Sequence, residues 1–139
     1  MQENFLRRGL LDDHNLVQFL PGSFNVSLPR WNQTLGDHET PRLALLLLDA
    51  DAHGSTRDAL ENAYPWLERG GFVIIDDFHI PECREAVHAY RRTHGIQTPI
   101  LPVPADYVYT CRKGEAGTPI YDEPGVMIPP HAAYWRKGA

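Results

Sequence analysis

Two unbroken apolar segments, each of strand length, constrain the fold of this chain more than any other feature. They occupy residues 43–48 and 72–75 and contain no polar side chain. A strand that is apolar at every position is usually buried on both faces, as in a parallel sheet covered by helices. A helical pattern follows each segment, which gives the β-α-β-α order of a doubly wound sheet. The sequence therefore predicts an α/β fold.

Aspartates directly follow both apolar segments. Asp49 and Asp51 come after the first segment, and Asp76 and Asp77 come after the second. The carboxyl ends of parallel strands form the ligand crevice of an open sheet, so these side chains converge if the two strands are neighbours. Because like charges repel, a positive group should lie among them, and a hard divalent cation takes oxygen ligands. The pattern predicts a metal site at this edge of the sheet.

Shorter patterns predict the remaining elements of a single domain. The predicted order is a helix over residues 2–8, a strand over 16–20, the strand over 43–48, a helix capped by Ser55 and ended by Gly70-Gly71, the strand over 72–75, and a helix from Pro81 to about Thr93. After Gly95 the pattern changes, and residues 99–104, 107–111 and 132–136 are strand-like.

Composition excludes several classes of function. The 139 residues suffice for one domain, and 42% hydrophobic content supports a core. A net charge of -5 argues against a nucleic-acid partner, and we interpret Arg84, Arg91 and Arg92 as a solvated helix face. No apolar run approaches the roughly 18 residues that span a bilayer, so no membrane partner is expected. Cys83 and Cys111 lack a CxxC spacing and are expected to be reduced thiols of a cytoplasmic protein.

A longer set of spaced residues agrees with one known family. The agreeing segments include Phe19-Leu20-Pro21-Gly22-Ser23-Phe24, Leu48-Asp49-Ala50-Asp51, Asp58-Ala59-Leu60-Glu61-Asn62, Gly70-Gly71-Phe72-Val73-Ile74-Ile75-Asp76-Asp77, Cys83-Arg84-Glu85-Ala86-Val87 and Tyr134-Trp135-Arg136-Lys137. Over most of residues 3–98 the chain resembles the macrocin O-methyltransferase family. The match is patchy over residues 104–131, which look like an irregular insertion.

The resemblance implies a class I methyltransferase sheet of the Rossmann-like kind, parallel except for one antiparallel strand late in the chain. Members of the family depend on S-adenosylmethionine and magnesium and methylate sugar hydroxyls in macrolide biosynthesis, and related sequences occur in other natural-product pathways. The expected partner is therefore a small molecule with a hydroxyl acceptor, either a sugar or another natural product.

The resemblance also implies roles for individual residues. The metal ligands would be Asp49, Asp76 and Asp77. The cofactor-binding residues would be Gly22, Ser23 and Phe24, which match the adenine side of the pocket, together with Asp49.

Family members carry two further strands and a Glu-x-Gly-type cofactor loop ahead of the matched segment. This chain shows no counterpart, so residues 1–139 are expected to be the C-terminal half of such a domain, with strands three to seven. In the family the missing strands lie between strand three, here residues 16–20, and strand four, here 43–48. We therefore expect either that 16–20 pairs directly with 43–48, or that a partner chain or a homo-oligomer covers the open edge.

Two residues are candidates for the base that removes the hydroxyl proton. Asp51 and His53 both lie within a short turn of the expected metal. His53-Gly54 is a departure from the family, whose members more often carry a tyrosine and an acidic residue there.

Two other functions remain open. The chain could be a catalytically inactive remnant or a partner subunit that completes another chain. It could also be a phosphatase of the haloacid-dehalogenase type, with Asp49 as nucleophile and Asp51 as acid and base. That chemistry requires Thr or Val where His53 stands and a lysine near the phosphoryl group, whereas the chain has only Lys113 and Lys137.

Overall fold

The computed structural model describes residues 2–7, 9, 17–35, 43–103 and 131–138. Its elements in chain order are α1 (Gln2–Arg7), α2 (Phe24–Thr34), β1 (Leu43–Leu48), α3 (His53–Ala63), a 3-10 turn (Tyr64–Trp66), β2 (Leu67–Ile75), α4 (Pro81–Thr93), β3 (Leu101–Pro102) and β4 (Ala133–Arg136). The expected strand over residues 107–111 and nearly all of the expected insertion lie outside the described residues. Within the described ranges, no helix is both long and apolar enough to cross a membrane.

The strands form one mixed sheet in the order β1-β2-β4-β3. β1 and β2 are parallel, and β4 runs antiparallel to both β2 and β3. Helix α3 provides the crossover that a parallel pair requires. The α/β class is therefore confirmed, and the late antiparallel strand is β4.

Strand β2 begins earlier than the apolar pattern predicts. The helix expected to reach Gly70-Gly71 ends at Ala63, and β2 starts at Leu67. A Cβ atom on Gly71 would lie 3.0 Å from the carbonyl oxygen of Ala44. Gly71 therefore lets the backbones of β1 and β2 approach closely, which is a reason for glycine inside a strand.

The core lies between one face of the sheet and helices α3 and α4. Val73, Ile75 and Trp135 share this inner face and are at most 1% exposed. Leu60 of α3 and Val87 of α4 are fully buried in the same cluster. Burying an aliphatic side chain of this size contributes about 1.5–3 kcal/mol, so the inner face holds the two helices on the sheet.

The opposite face of the sheet stays largely exposed. Leu45 and Leu47 of β1 are 52% and 60% exposed, and Phe72 and Leu101 are 39% and 43% exposed. Strand side chains alternate between faces, and the pairing registers place these four residues on the same side. We call Leu45, Leu47, Phe72 and Leu101 the outer face. The expectation that both apolar segments are buried on both faces is wrong, since Leu45 and Leu47 of the first and Phe72 of the second are exposed.

The outer edge of β1 is open as well. Among the described residues β1 pairs with β2 alone, and residues 17–20 form no strand. The expected strand over residues 16–20 is therefore wrong, and so is its direct pairing with β1. Residue 16 itself lies outside the described residues. The preference of a residue for strands reflects packing against neighbouring strands. A five-residue segment without a paired neighbour is therefore not stabilised as a strand.

Replacing Leu60 with alanine should destabilise the chain far more than replacing Leu47. Leu60→Ala empties a fully buried position and should lower the free energy of unfolding by about 2–5 kcal/mol. Leu47→Ala removes an exposed side chain and should cost less than about 0.5 kcal/mol. Urea denaturation of the 139-residue chain measures both, and equal losses would mean that the outer face is packed.

Candidate metal centre

Three aspartates come together where β1 and β2 end. One carboxylate oxygen of each of Asp49, Asp76 and Asp77 lies within 4.8 Å of the others. The cause is the parallel register, which pairs Leu48 with Ile75 and continues with a 2.9 Å hydrogen bond from the Asp76 amide to the Leu48 carbonyl. Asp49 and Asp76 are exposed and Asp77 is buried. The cluster is therefore fixed by the sheet on one side and accessible on the other.

The Asp77 carboxyl group lies in an environment that disfavours its charge. Burial raises its pKa above the ordinary value, and the side-chain hydrogen bond with Asp51 and the charges of Asp51 and Asp49 raise it further, against a lowering by a backbone hydrogen bond from Asp51. Its Oδ2 atom is buried without a hydrogen-bond partner among the described residues. An orphaned, buried carboxylate oxygen is stabilised by a proton or by a cation.

Asp51 is held close to the cluster by an unusual backbone conformation. Its φ of 45° is the single positive value at a non-glycine residue in the described ranges, a region that such residues rarely adopt. The turn brings the Asp51 side chain close enough to Asp77 to raise the pKa of the Asp77 carboxyl group. Backbone strain of this kind persists where the surrounding structure over-determines it, and it concentrates at functional sites.

His53, the second candidate base, lies at the surface. It is the first residue of α3 and is exposed, and its ring nitrogens are not part of the carboxylate cluster. The helix starts immediately after the Asp51 turn, so Ala52 rather than Ser55 is the N-cap residue. The expected cap at Ser55 is wrong because the helix begins three residues earlier than the polar pattern suggests.

The three expected cofactor-binding residues lie at the start of α2. Gly22 has a φ of 118°, which favours glycine. Ser23 is the N-cap residue, and its carbonyl accepts the amide of Val26 at 2.9 Å. The Phe24 side chain is 38% exposed. The segment thus presents an aromatic ring and a helix start to the surface.

A polar network fixes α2 against α3. The Asn32 amide donates to Asn62 at 3.1 Å and accepts the Trp66 indole N–H at 3.0 Å. Because α2 begins after Ser23 and α3 begins beside Asp51, this network links the helix after the expected cofactor-binding residues to the helix after Asp51.

Two arginines have roles that the sequence interpretation missed. Arg84 donates to two main-chain carbonyls in the turn after β2. Arg91 is 8% exposed, donates to the Thr98 carbonyl, and lies over the Trp135 ring at 4.8 Å. The interpretation as a solvated face is therefore wrong for both. Their spacing was an available signal, because positions 84 and 91 share a helix stripe with the buried Val87.

Cys83 is a buried thiol that joins two helices. Thr56 of α3, fully buried, donates to its sulfur at 3.5 Å. Burial raises the pKa of the Cys83 thiol, which keeps it protonated and unreactive. Cys111 lies outside the described residues.

A family model places this geometry in context. The model described as macrocin-O-methyltransferase (TylF) matches residues 1–112, which is well over half of the chain. The chain belongs to the macrocin O-methyltransferase family. The family resemblance inferred from spaced residues is therefore confirmed.

Two characterised relatives are similar over the same region. The chain is 49% identical over 109 residues to mycinamicin III 3''-O-methyltransferase of Micromonospora griseorubida. It is also 49% identical over 109 residues to 8-demethyl-8-(2,3-dimethoxy-alpha-L-rhamnosyl)-tetracenomycin-C 4'-O-methyltransferase of Streptomyces olivaceus. Each match covers 78% of this chain but only 39% and 38% of the relatives. The chain spans about two-fifths of the length of these enzymes.

Solved structures give the same result. The O-methyltransferase NovP superposes with a TM-score of 0.67 at 29% identity, over 99% of this chain and 43% of NovP. The calicheamicin methyltransferase CalS11 superposes with a TM-score of 0.53 at 23% identity, over 85% of this chain and 36% of CalS11, which supports the fold alone. The expected methyltransferase fold, in a form shorter than these chains, is confirmed.

Asp77→Asn should stabilise the protein without metal at neutral pH. The pKa of Asp77 is higher in the folded state than in the unfolded state. Above the unfolded-state pKa, the ionised Asp77 side chain therefore lowers the free energy of unfolding. At low pH the carboxyl group is protonated in both states, and this destabilisation disappears. Thermal unfolding in EDTA between about pH 3 and about pH 8 should show an advantage of the variant that grows with pH. Glu85→Gln, at an exposed site on α4, is the control. A variant less stable than the wild type at the upper pH would contradict the prediction.

Proposed function

We propose that this chain supplies the metal-binding half of an S-adenosylmethionine- and magnesium-dependent O-methyltransferase that modifies a sugar or other hydroxyl of a natural product. The cluster of Asp49, Asp76 and Asp77 carries the proposal. Family membership supports the reaction, because the similar enzymes are O-methyltransferases named for mycinamicin III and for a rhamnosyl tetracenomycin.

The carboxylate cluster fits a hard divalent cation. It offers only oxygen ligands, which Mg²⁺ prefers. Three carboxylates this close repel one another unless a positive charge lies among them, and the orphaned Oδ2 of Asp77 has no other partner in the described residues. Asp49, Asp76 and Asp77 would hold the ion. When bound, it would supply Lewis acidity that lowers the pKa of an acceptor hydroxyl.

Asp51 is better placed than His53 to act as the base. Both side chains are exposed, but Asp51 lies close enough to Asp77 to raise the pKa of that carboxyl group, so it lies beside the cluster. Asp51 would accept the hydroxyl proton while the neighbouring carboxylates orient the acceptor. Orientation toward the methyl donor would supply much of the acceleration, because methyl transfer requires in-line geometry.

Gly22, Ser23 and Phe24 would form one wall of the S-adenosylmethionine pocket. The exposed Phe24 ring offers an apolar surface on which an adenine ring can stack, and Asp49 would lie toward the methyl-transfer side of the cofactor. About three-fifths of the mycinamicin enzyme lies outside the matched region. The second wall would come from polypeptide equivalent to that part.

Metal binding should depend on Asp49. Isothermal titration with Mg²⁺ or Mn²⁺ should detect one site in the wild type, because the three carboxylates converge. Asp49→Asn should weaken the site at least about tenfold, since it removes one charged ligand. Glu85→Gln on the exposed face of α4 should bind normally. Equal affinity of the wild type and Asp49→Asn would contradict the proposed site.

A catalytically inactive remnant or partner subunit is the second candidate. Titration with S-adenosylmethionine in the presence of Mg²⁺ separates the two. Micromolar binding supports an enzyme that retains its cofactor site, and absence of heat supports the partner subunit. The relatives named above are methyltransferases, so they lend no support to the phosphatase alternative.

We also propose that further polypeptide covers the outer face and the open edge of β1, either a second copy or a partner chain. The outer face exposes Leu45, Leu47, Phe72 and Leu101 together, and contiguous apolar patches of this kind mark interaction surfaces. Among the described residues β1 pairs only with β2, so the backbone at its other edge is a template for strand addition.

Charge on the outer face should reduce association of the isolated chain. Sedimentation should show concentration-dependent association of the wild type, and Leu45→Lys with Leu47→Lys should shift the chain to monomer because a lysine on an exposed strand opposes pairing. Leu20→Lys, at an exposed site outside the sheet, is the control. A wild type that remains monomeric at high concentration would leave only a partner of different sequence as the covering chain.

A further inference from the structure

We propose that Arg84 is a positioning residue for the carboxylate cluster and that it holds the turn carrying Asp76 and Asp77. The inference rests on the proposed metal site and adds a residue that orients the ligands without touching the ion. Arg84 itself contacts none of the three carboxylates in the hydrogen bonds of the described residues.

The turn from Asp76 to Ile80 connects β2 to α4 and is closed at both ends. The Ile80 amide donates to the Asp77 carbonyl at 3.0 Å. Nη1 of Arg84 donates to the carbonyls of Phe78 and His79, both at 3.1 Å. A cation shared by adjacent carbonyls fixes the orientation of two successive peptide planes, and hydrogen bonds from charged donors are stronger than neutral ones.

Helix α4 gives Arg84 a rigid base. The preceding residue, Cys83, is 1% exposed, and Val87 one turn further is fully buried. The Arg84 amide also donates to the Ile80 carbonyl at 3.0 Å. The guanidinium group therefore transmits the position of a packed helix to the turn that presents the ligands.

This placement matters because metal ligands tolerate little displacement. Groups that orient ligands without touching the ion typically change metal affinity by roughly 10- to 100-fold when they are removed. Without Arg84, two carbonyls of the turn lose their charged donor, and the separation of the Asp76 and Asp77 oxygens is no longer fixed. The effect of Arg84 should therefore appear in metal affinity before it appears in global stability.

The experiment compares Arg84→Ala, Arg84→Lys and the wild type by Mn²⁺ titration and thermal unfolding. Arg84→Ala should weaken Mn²⁺ binding roughly 10- to 100-fold with a small change in unfolding temperature. Arg84→Lys should lie between, because an ammonium group keeps the charge but lacks the planar fork. Millimolar methylguanidinium should restore affinity to Arg84→Ala. Arg92→Ala, an exposed arginine on the same helix, should leave binding unchanged.

Wild-type Mn²⁺ affinity in Arg84→Ala would overturn the assignment. A second result would also overturn it: Arg84→Ala loses Mn²⁺ affinity, methylguanidinium does not restore that affinity, and the unfolding temperature falls steeply. Arg84 would then have a purely structural role. If the wild type binds no Mn²⁺, the proposed metal site fails by itself. Hydrogen exchange at the amides of His79 and Ile80 then decides the role of Arg84: faster exchange in Arg84→Ala supports it, and unchanged exchange overturns it.

Discussion

Parallel pairing of residues 45–48 of β1 with residues 72–75 of β2 is the interaction on which the candidate site depends. Leu48 lies opposite Ile75, so the residues that follow the two strands emerge side by side and Asp49 meets Asp76 and Asp77. A shift of one residue would turn every side chain of the shifted strand to the other face of the sheet. Gly71, which has no room for a side chain against the Ala44 carbonyl, helps to fix this close approach.

The two faces of the sheet differ in burial. The inner face, with Val73, Ile75 and Trp135, carries the packing that anchors α3 and α4. These helices in turn position the site, since α3 begins beside Asp51 and α4 carries Arg84. The outer face is apolar but exposed, in a chain that spans about two-fifths of its matched relatives. The packed side of the sheet and the side that we propose to be covered by further polypeptide are thus its two opposite faces.

Much of the site was predictable because it rests on local order. An apolar run of strand length followed by aspartate indicates a strand end with a carboxylate, and two such segments separated by a helix indicate a parallel neighbour. Helix α4 was also predictable at both ends, because Pro81 suits a first turn and Gly95, with a φ of 63°, follows the last. The start of β2 was not, because the 3-10 turn that ends α3 has no distinct apolar pattern.

The strand expected at residues 16–20 failed for a related reason, since an extended segment needs a neighbour that sequence periodicity does not supply. Arg84 and Arg91 were misjudged because charge suggests solvent, whereas the helix stripe that they share with Val87 brings them against carbonyls and an aromatic ring. By itself, the sequence determined the α/β class, the family and the acidic residues at the strand ends, because these follow from residue type and spacing along the chain. Only the tertiary structure decided that Asp51 reaches Asp77, that Asp77 is buried while its neighbours are exposed, and that one face of the sheet remains open. Those properties depend on which segments meet in space.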